Sequence, residues 1–145
     1  RVIRAIIFNT SGPGKKHDVF FDLIKQFKKQ IRKKYIKIRC GNLNNFRDFM
    51  HVEDVADALI KIAQKGKRGE AYNIGSSKLQ KISTIIFFIK KKYKKNIKLI
   101  KDLKLFRKFD EKFIMSNNNK IKKIGWKPKK NLEDIISDML KLNVN

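Results

Sequence analysis

The period of the apolar residues changes along this chain, and that change restricts the fold more than any other feature. Val19, Phe20, Leu23, Ile24, Phe27 and Ile31 recur at helical spacing, whereas Tyr35 to Cys40 alternates as a half-buried strand does. The same switch repeats downstream. A short strand at Arg47 to His51 leads into a helix from about Glu53 to Lys65, with Val55, Leu59, Ile62 and Ala63 on one face. Gly66 and Gly69 stop it. Glu70 to Ile74 is a strand, Ile82 to Tyr93 a helix, Ile97 to Ile100 a strand and Asn119 to Ile124 a short helix. A last helix carries Leu132, Ile135, Ile136, Met139 and Leu140. Asn131 should cap it by accepting from the backbone N–H of Asp134, with acids filling the first turn. Strands alternating with helices predict an α/β fold.

The opening run, Val2 to Phe8, reads as a buried strand, and the polar, Gly- and Pro-rich stretch Asn9-Thr10-Ser11-Gly12-Pro13-Gly14 reads as the loop that ends it. A first residue that is Arg, followed at once by a strand, suggests a piece of a longer protein. The 145 residues suffice for one modest domain.

The net charge of +24 first points to nucleic acid. The composition argues otherwise. Lys outnumbers Arg 30 to 7, and Lys, Ile, Asn and Phe fill 74 positions. These four share AT-rich codons, so base composition enriches them together. A selected phosphate-binding face would enrich basic residues alone, and Arg in particular. Sequence-specific nucleic-acid binding is therefore not expected. The single cysteine, Cys40, excludes an intrachain disulfide and reads as a small core residue. No apolar run reaches the roughly 20 residues of a membrane span, and no secretory signal is visible, so the chain reads as cytoplasmic. His17 and His51 lack metal-ligand neighbours, and His51 reads as a half-buried strand residue.

The stretch Phe46-Arg47-Asp48-Phe49 places a guanidinium between aromatics at a strand edge, where binding groups gather. A desolvated Arg fork suits a diphosphate. Asp48 is the expected holder of that Arg, and Glu53 and Asp54 complement a helix dipole. The competing reading is a structural Arg47–Asp48 or Arg47–Glu53 pair with no ligand.

Nine short motifs in order resemble one family: Phe8-Asn9, Gly12-Pro13-Gly14, Gly41-Asn42-Leu43, Arg47-Asp48-Phe49, Val52-Glu53-Asp54-Val55, Gly69 to Gly75, Arg107-x-x-Asp110, Lys120 and Gly125-Trp126-Lys127-Pro128. They resemble the C-terminal half of the extended short-chain dehydrogenases/reductases that act on nucleotide sugars, the NAD-dependent epimerase/dehydratase family. Within it the pairing of Gly-Asn-Leu with Arg-Asp-Phe is most similar to the GDP-mannose 4,6-dehydratases and the related GDP-4-keto-6-deoxy-mannose reductases.

The resemblance implies the last strands of a Rossmann-like sheet plus the small substrate-binding α/β domain, over residues 1–145, with the N-terminal NAD(P)-binding portion absent. It implies a GDP-sugar substrate held by Asn9, Asn42, Arg47, Arg107 and Asp110. NAD or NADP would be bound mainly by the absent half and touched here by Thr10 and Lys15, and the full-length protein could be a homo-oligomer. Thr10 stands where the dehydratases have His, and Lys15 stands near their Arg, which leans toward the reductase. Arg107-Lys108 replaces the usual Arg-Pro. The Gly-rich cofactor loop and the Tyr-x-x-x-Lys pair are missing, so no catalytic residue is assigned and the chain alone is expected to be inactive. The alternatives are a non-catalytic basic module for RNA or anionic surfaces, and an inactive structural remnant.

Overall fold

The structure is a computed structural model that describes residues 2–141. Among the described residues eight strands and five helices are interleaved along the chain, as the periodicity predicts. The strands are β1 (Arg4–Ile7), β2 (Asn9–Ser11), β3 (Tyr35–Cys40), β4 (Phe46–His51), β5 (Ala71–Ile74), β6 (Leu79–Lys81), β7 (Asn96–Lys101) and β8 (Phe113–Ile114). The helices are α1 (Val19–Gln30), α2 (Val52–Lys65), α3 (Thr84–Tyr93), α4 (Asn119–Lys123) and α5 (Leu132–Lys141), with a 3-10 turn at Leu103–Leu105. Pairing is parallel for β1–β5, β2–β4, β3–β7 and β4–β8, and antiparallel for β4–β6.

β4 divides two cores. Successive side chains on a strand point to opposite faces. Phe49 accordingly packs with α1, α3, α5 and the β3–β7 pair, while Met50 packs with α2, β5, α4 and Trp126. The same parity puts Arg47 on the side of Phe49 and Asp48 on the side of Met50, which decides the site below.

The outer edge of β3 is closed by a helix instead of a strand. Gln26 donates to the Arg39 carbonyl (2.9 Å) and accepts from its N–H (2.8 Å), and Gln30 does the same at Lys37 (2.7 and 3.2 Å). Four residues of helix rise about 6 Å, and two residues of strand rise about 6.6 Å, so two amides one turn apart match alternate strand residues. The edge groups that would otherwise invite another chain are satisfied.

Several expectations need correction. β1 is exposed along its length, with Ile6 48% and Ile7 47% accessible, and among the described residues it pairs only with β5. An apolar run shows that a strand calls for cover on both faces, not that cover is present. Asn9–Ser11 is a strand, not part of a loop, because β4 offers it parallel partners. The buried face of α2 is Asp54, Val55, Ala58 and Ile62, while Leu59 and Ala63 face outward. Asp54 does more than complement a dipole: its carboxylate accepts from the N–H groups of Lys129 (3.0 Å) and Lys130 (2.9 Å). His51 is fully buried, and its Nδ1 accepts from Glu53 N (3.1 Å), capping α2. The expected cap of α5 is present: Asn131 Oδ1 accepts from Asp134 N (3.1 Å), and Asp134 reciprocates on Asn131 N (2.8 Å).

Beside the His51 cap, Asp138 on α5 accepts from Lys130 and Lys141, both at 2.9 Å, and these ammonium groups hold its carboxyl down from 3.8 to about 2. A carboxylate depressed in the folded state stabilises the fold above its unfolded pKa, and that stabilisation is lost as pH falls through the folded value. The difference in urea midpoint between the wild type and Asp138→Asn should therefore be constant above about pH 5 and close between there and pH 2. A difference that persists unchanged at pH 2 would rule out the charge as its source.

Candidate nucleotide-binding site

A cavity of about 1210 Å³ opens between α1, β2, the Gly41–Leu43 loop, β4 and the segment around Leu105–Asp110. All seven residues singled out in the sequence line it: Asn9, Thr10, Lys15, Asn42, Arg47, Arg107 and Asp110. They come from four separate stretches. The basic lining, Lys15, Lys25, Lys29, Arg39, Arg47 and Arg107, outnumbers the acidic lining, Asp18, Asp22 and Asp110. Such a cavity favours an anion. Phe49 and Leu43 supply apolar wall, and Phe20 stacks edge-on to Phe49 at 4.7 Å between ring centroids.

Arg47 is the fixed point. It lies mid-strand in β4, between β6 and β8, and is only 6% exposed. Its Nη1 donates to the Phe46 carbonyl (2.8 Å) and its Nη2 to Asp110 Oδ1 (2.5 Å). Neither expected holder is its partner. Asp48 faces the other side of the strand, where it accepts from Ser76 N (2.7 Å) and Oγ (2.5 Å), Ser77 N (2.9 Å), and Ser116 N (3.1 Å) and Oγ (2.5 Å). Glu53 meets Lys130 at 3.1 Å. Adjacent strand residues cannot reach one another's side chains, so the partner had to come from elsewhere.

The remaining candidates differ in how committed they are. Asn42 is engaged at both ends: its Oδ1 accepts from Asn44 N (2.9 Å) and its Nδ2 donates to Asn45 Oδ1 (3.0 Å). Among the described residues the side-chain amide of Asn9 has no hydrogen-bond partner, although the residue is half-buried at the cavity wall. Arg107 is exposed at the rim. Asn45, buried at 5%, was missed in the sequence; it donates to Asp110 Oδ2 (2.5 Å) and so ties the Asn42 loop to Asp110. The repeated Asn of Asn42-Leu43-Asn44-Asn45 was the available signal. Asp18 also borders the cavity: it caps α1 by accepting from Phe21 N (2.7 Å), and burial pushes its carboxyl up. Among the described residues no His, Cys, Asp and Glu cluster could hold a metal ion, and no helix is long and apolar enough to cross a membrane.

The family model described as GDP-mannose 4,6 dehydratase matches residues 1–139. The chain belongs to that family. Among curated relatives, GDP-6-deoxy-D-mannose reductase of Pseudomonas aeruginosa is 28% identical, over 95% of this chain and 48% of its own. The solved RMD of Pseudomonas aeruginosa complexed with NADPH superposes with a TM-score of 0.82 at 24% identity, covering 97% of this chain and 47% of that one. The dTDP-glucose 4,6-dehydratase of Bacillus anthracis, in complex with NAD, superposes at 0.77 with 22% identity, covering 96% and 43%. The chain thus spans about half the length of the relatives it matches. Its α/β fold is that of the Rossmann-like extended short-chain dehydrogenases.

A nicotinamide dinucleotide accompanies both solved relatives, and the residues of this chain bear on its fit. They do not make a site for it by themselves. The Thr10 hydroxyl donates to the Phe8 carbonyl (3.0 Å), and Lys15 is exposed. Gly12 is no phosphate cradle: a Cβ there would meet Val52 Cγ2 at 2.9 Å, so its bareness serves packing against α2.

Proposed function

We propose that this chain is the substrate-binding portion of a nucleotide-sugar 4,6-dehydratase or reductase, and that its cavity takes the nucleoside diphosphate of a GDP-sugar. The observation that carries this reading is that Asn9, Asn42, Arg107 and Asp110 line one predominantly basic cavity with Arg47, a guanidinium anchored on β4 by Asp110 and the Phe46 carbonyl. A planar fork with fixed direction grips phosphate oxygens in pairs, which a mobile lysine cannot do. Arg107 would add charge from the rim, and Asn9 would meet the sugar end. The cofactor-binding portion and the proton-handling residues would come from the half of the relatives that this chain does not span. Thr10 and Lys15 would edge a cofactor held there.

The lysines are spread over all five helices. Biased composition accounts for such a scatter, and it supports the nucleotide-sugar reading over a nucleic-acid one.

Calorimetry on the whole chain at about 0.15 M salt, where long-range charge is screened, should show GDP binding that survives added salt better than binding to a random RNA, whose affinity should fall steeply. NADP should give no heat beyond that of a charge-matched anion. Micromolar affinity for NADP, or GDP heats as salt-sensitive as those of RNA, would overturn the proposal.

A further inference from the structure

The lysines are scattered, but the acids are not. All 13 acidic residues lie outside two stretches, residues 23–47 and 71–101, which together hold 18 of the 37 basic residues. Biased composition sets how many lysines the chain has; it does not clear carboxylates from particular segments. The fold then brings these two acid-free stretches together. β3 and β7 pair in parallel along their whole length, the rings of Phe27 and Tyr93 meet at 4.9 Å between centroids, and Lys95 Nζ donates to the Lys33 carbonyl (3.4 Å). One face of the β3–β7 pair packs on the core through Ile36, Ile38, Cys40 and Ile97. The other is open: Tyr35, Lys37 and Arg39 on β3 and Asn96 and Lys98 on β7 are exposed, Tyr35 at 63%. Lys37 stands directly opposite Lys98. Like charges at such a pair are destabilising, and among the described residues neither meets a carboxylate. Lysines in the last turns of α1 and α3 complement the helix dipoles. No such account covers two lysines facing each other on an open sheet.

We propose that this open face, flanked by the lysine-rich ends of α1 and α3, is a second binding surface, which takes a single-stranded polynucleotide without reading its sequence. It lies beside the nucleotide cavity and meets it at Arg39. Backbone phosphates relieve the repulsion between Lys37 and Lys98 and continue onto Lys33 and Lys95. Tyr35, with Lys34 Nζ over its ring at 5.7 Å, offers a stacking surface to a base. An aromatic ring set among mobile positive charges is the chemistry of sequence-blind single-strand binding. Lysine suits that task, because an ammonium on a flexible stem follows a mobile backbone and imposes no orientation. An anionic bilayer is the poorer fit. Ile100, the one aliphatic residue at a position on this face, is half-buried, so the face presents no apolar tip to enter the acyl region.

The probes are labelled oligo-U and oligo-dT of about 12 nucleotides, titrated with the 145-residue chain at several salt concentrations and followed by fluorescence anisotropy. Both strands carry the chemistry the face recognises, and the tighter of the two identifies its source. The double variant Lys37→Glu/Lys98→Glu should bind at least about tenfold more weakly, with a shallower dependence on salt. Lys65→Glu/Lys122→Glu changes the net charge equally at exposed positions on α2 and α4, and should stay within about threefold of wild type. Tyr35→Ala should cost about fivefold or more. Lys37→Glu alone separates binding from folding: it should bind more weakly yet melt no lower than wild type, because it turns a repulsive pair into an attractive one. Equal losses in the two double variants would mean attraction to net charge alone and overturn the surface, as would a Tyr35→Ala variant that binds as wild type does. Phosphatidylserine vesicles that hold the wild type and release Lys37→Glu/Lys98→Glu, while oligonucleotide binding is the same for both, would assign the face to a bilayer and overturn the proposal too.

Discussion

Arg47→Met should weaken GDP binding by roughly 2–5 kcal/mol, the range for truncating one partner of a desolvated charged pair, while the melting temperature falls by only a few degrees. The two effects separate because of where the partners of Arg47 lie. Arg47 lines the cavity, and its protein partner, Asp110, keeps a second hydrogen bond from Asn45 and access to water when Arg47 is gone. Arg47→Lys should recover part of the affinity and no more, since an ammonium keeps the charge but loses the two parallel donors. Isothermal titration and thermal melting on the two variants decide the matter. If Arg47 is structural, the pattern inverts: Met at 47 would melt far below wild type, and the folded fraction would bind GDP normally.

Asp48→Ala should do the opposite, destabilising the fold by roughly 3–5 kcal/mol, the range for breaking a buried charged network. Asp48 is fully buried and accepts from five donors on two loops, the Gly75–Ser77 turn after β5 and the Ser116 turn before α4. Those loops are packed so closely that a Cβ on Gly75 would approach Asp48 Oδ2 at 2.7 Å, so they cannot simply collapse into the space vacated. The backbone N–H groups of Ser76 and Ser116 would lose their acceptor, while Ser77 N keeps a bond to Ser116 Oγ (3.2 Å). For a chain of this size the loss corresponds to about 10–20 °C in melting temperature. Asp48→Asn keeps the shape but turns an amide donor toward other donors, and should fall almost as far. A melting temperature for Asp48→Ala within about 2 °C of wild type would mean that less than about 1 kcal/mol rests on this hub.

These two neighbours show how the sequence can be right about residue types and wrong about partners. Arg47-Asp48 invites a pair, yet strand geometry sends the two side chains to different cores. The partner of Arg47 lies 63 positions away, delivered by β8, a two-residue strand too short for any periodic signal. β2 and β6, three residues each, escape notice for the same reason. His51 could be recognised as a strand residue, but its role as the cap of α2 depends on a ring nitrogen meeting one N–H, a matter of atomic direction that no residue pattern carries.

What the sequence by itself determined were the properties that depend on near neighbours along the chain: the alternation of strand and helix, the Asn131 cap, the Gly66 stop, and the group of residue types that could serve an anion. Each follows from backbone geometry repeated over a few residues. The tertiary structure alone decided which face of β4 each side chain took, that Asn9, Asn42, Arg47, Arg107 and Asp110 share one cavity, and that Asp110 rather than Asp48 sits on the guanidinium. Those outcomes come from strand pairings between segments far apart in sequence, and the register of such pairings is fixed by the packing of whole elements, not by the residues beside the site.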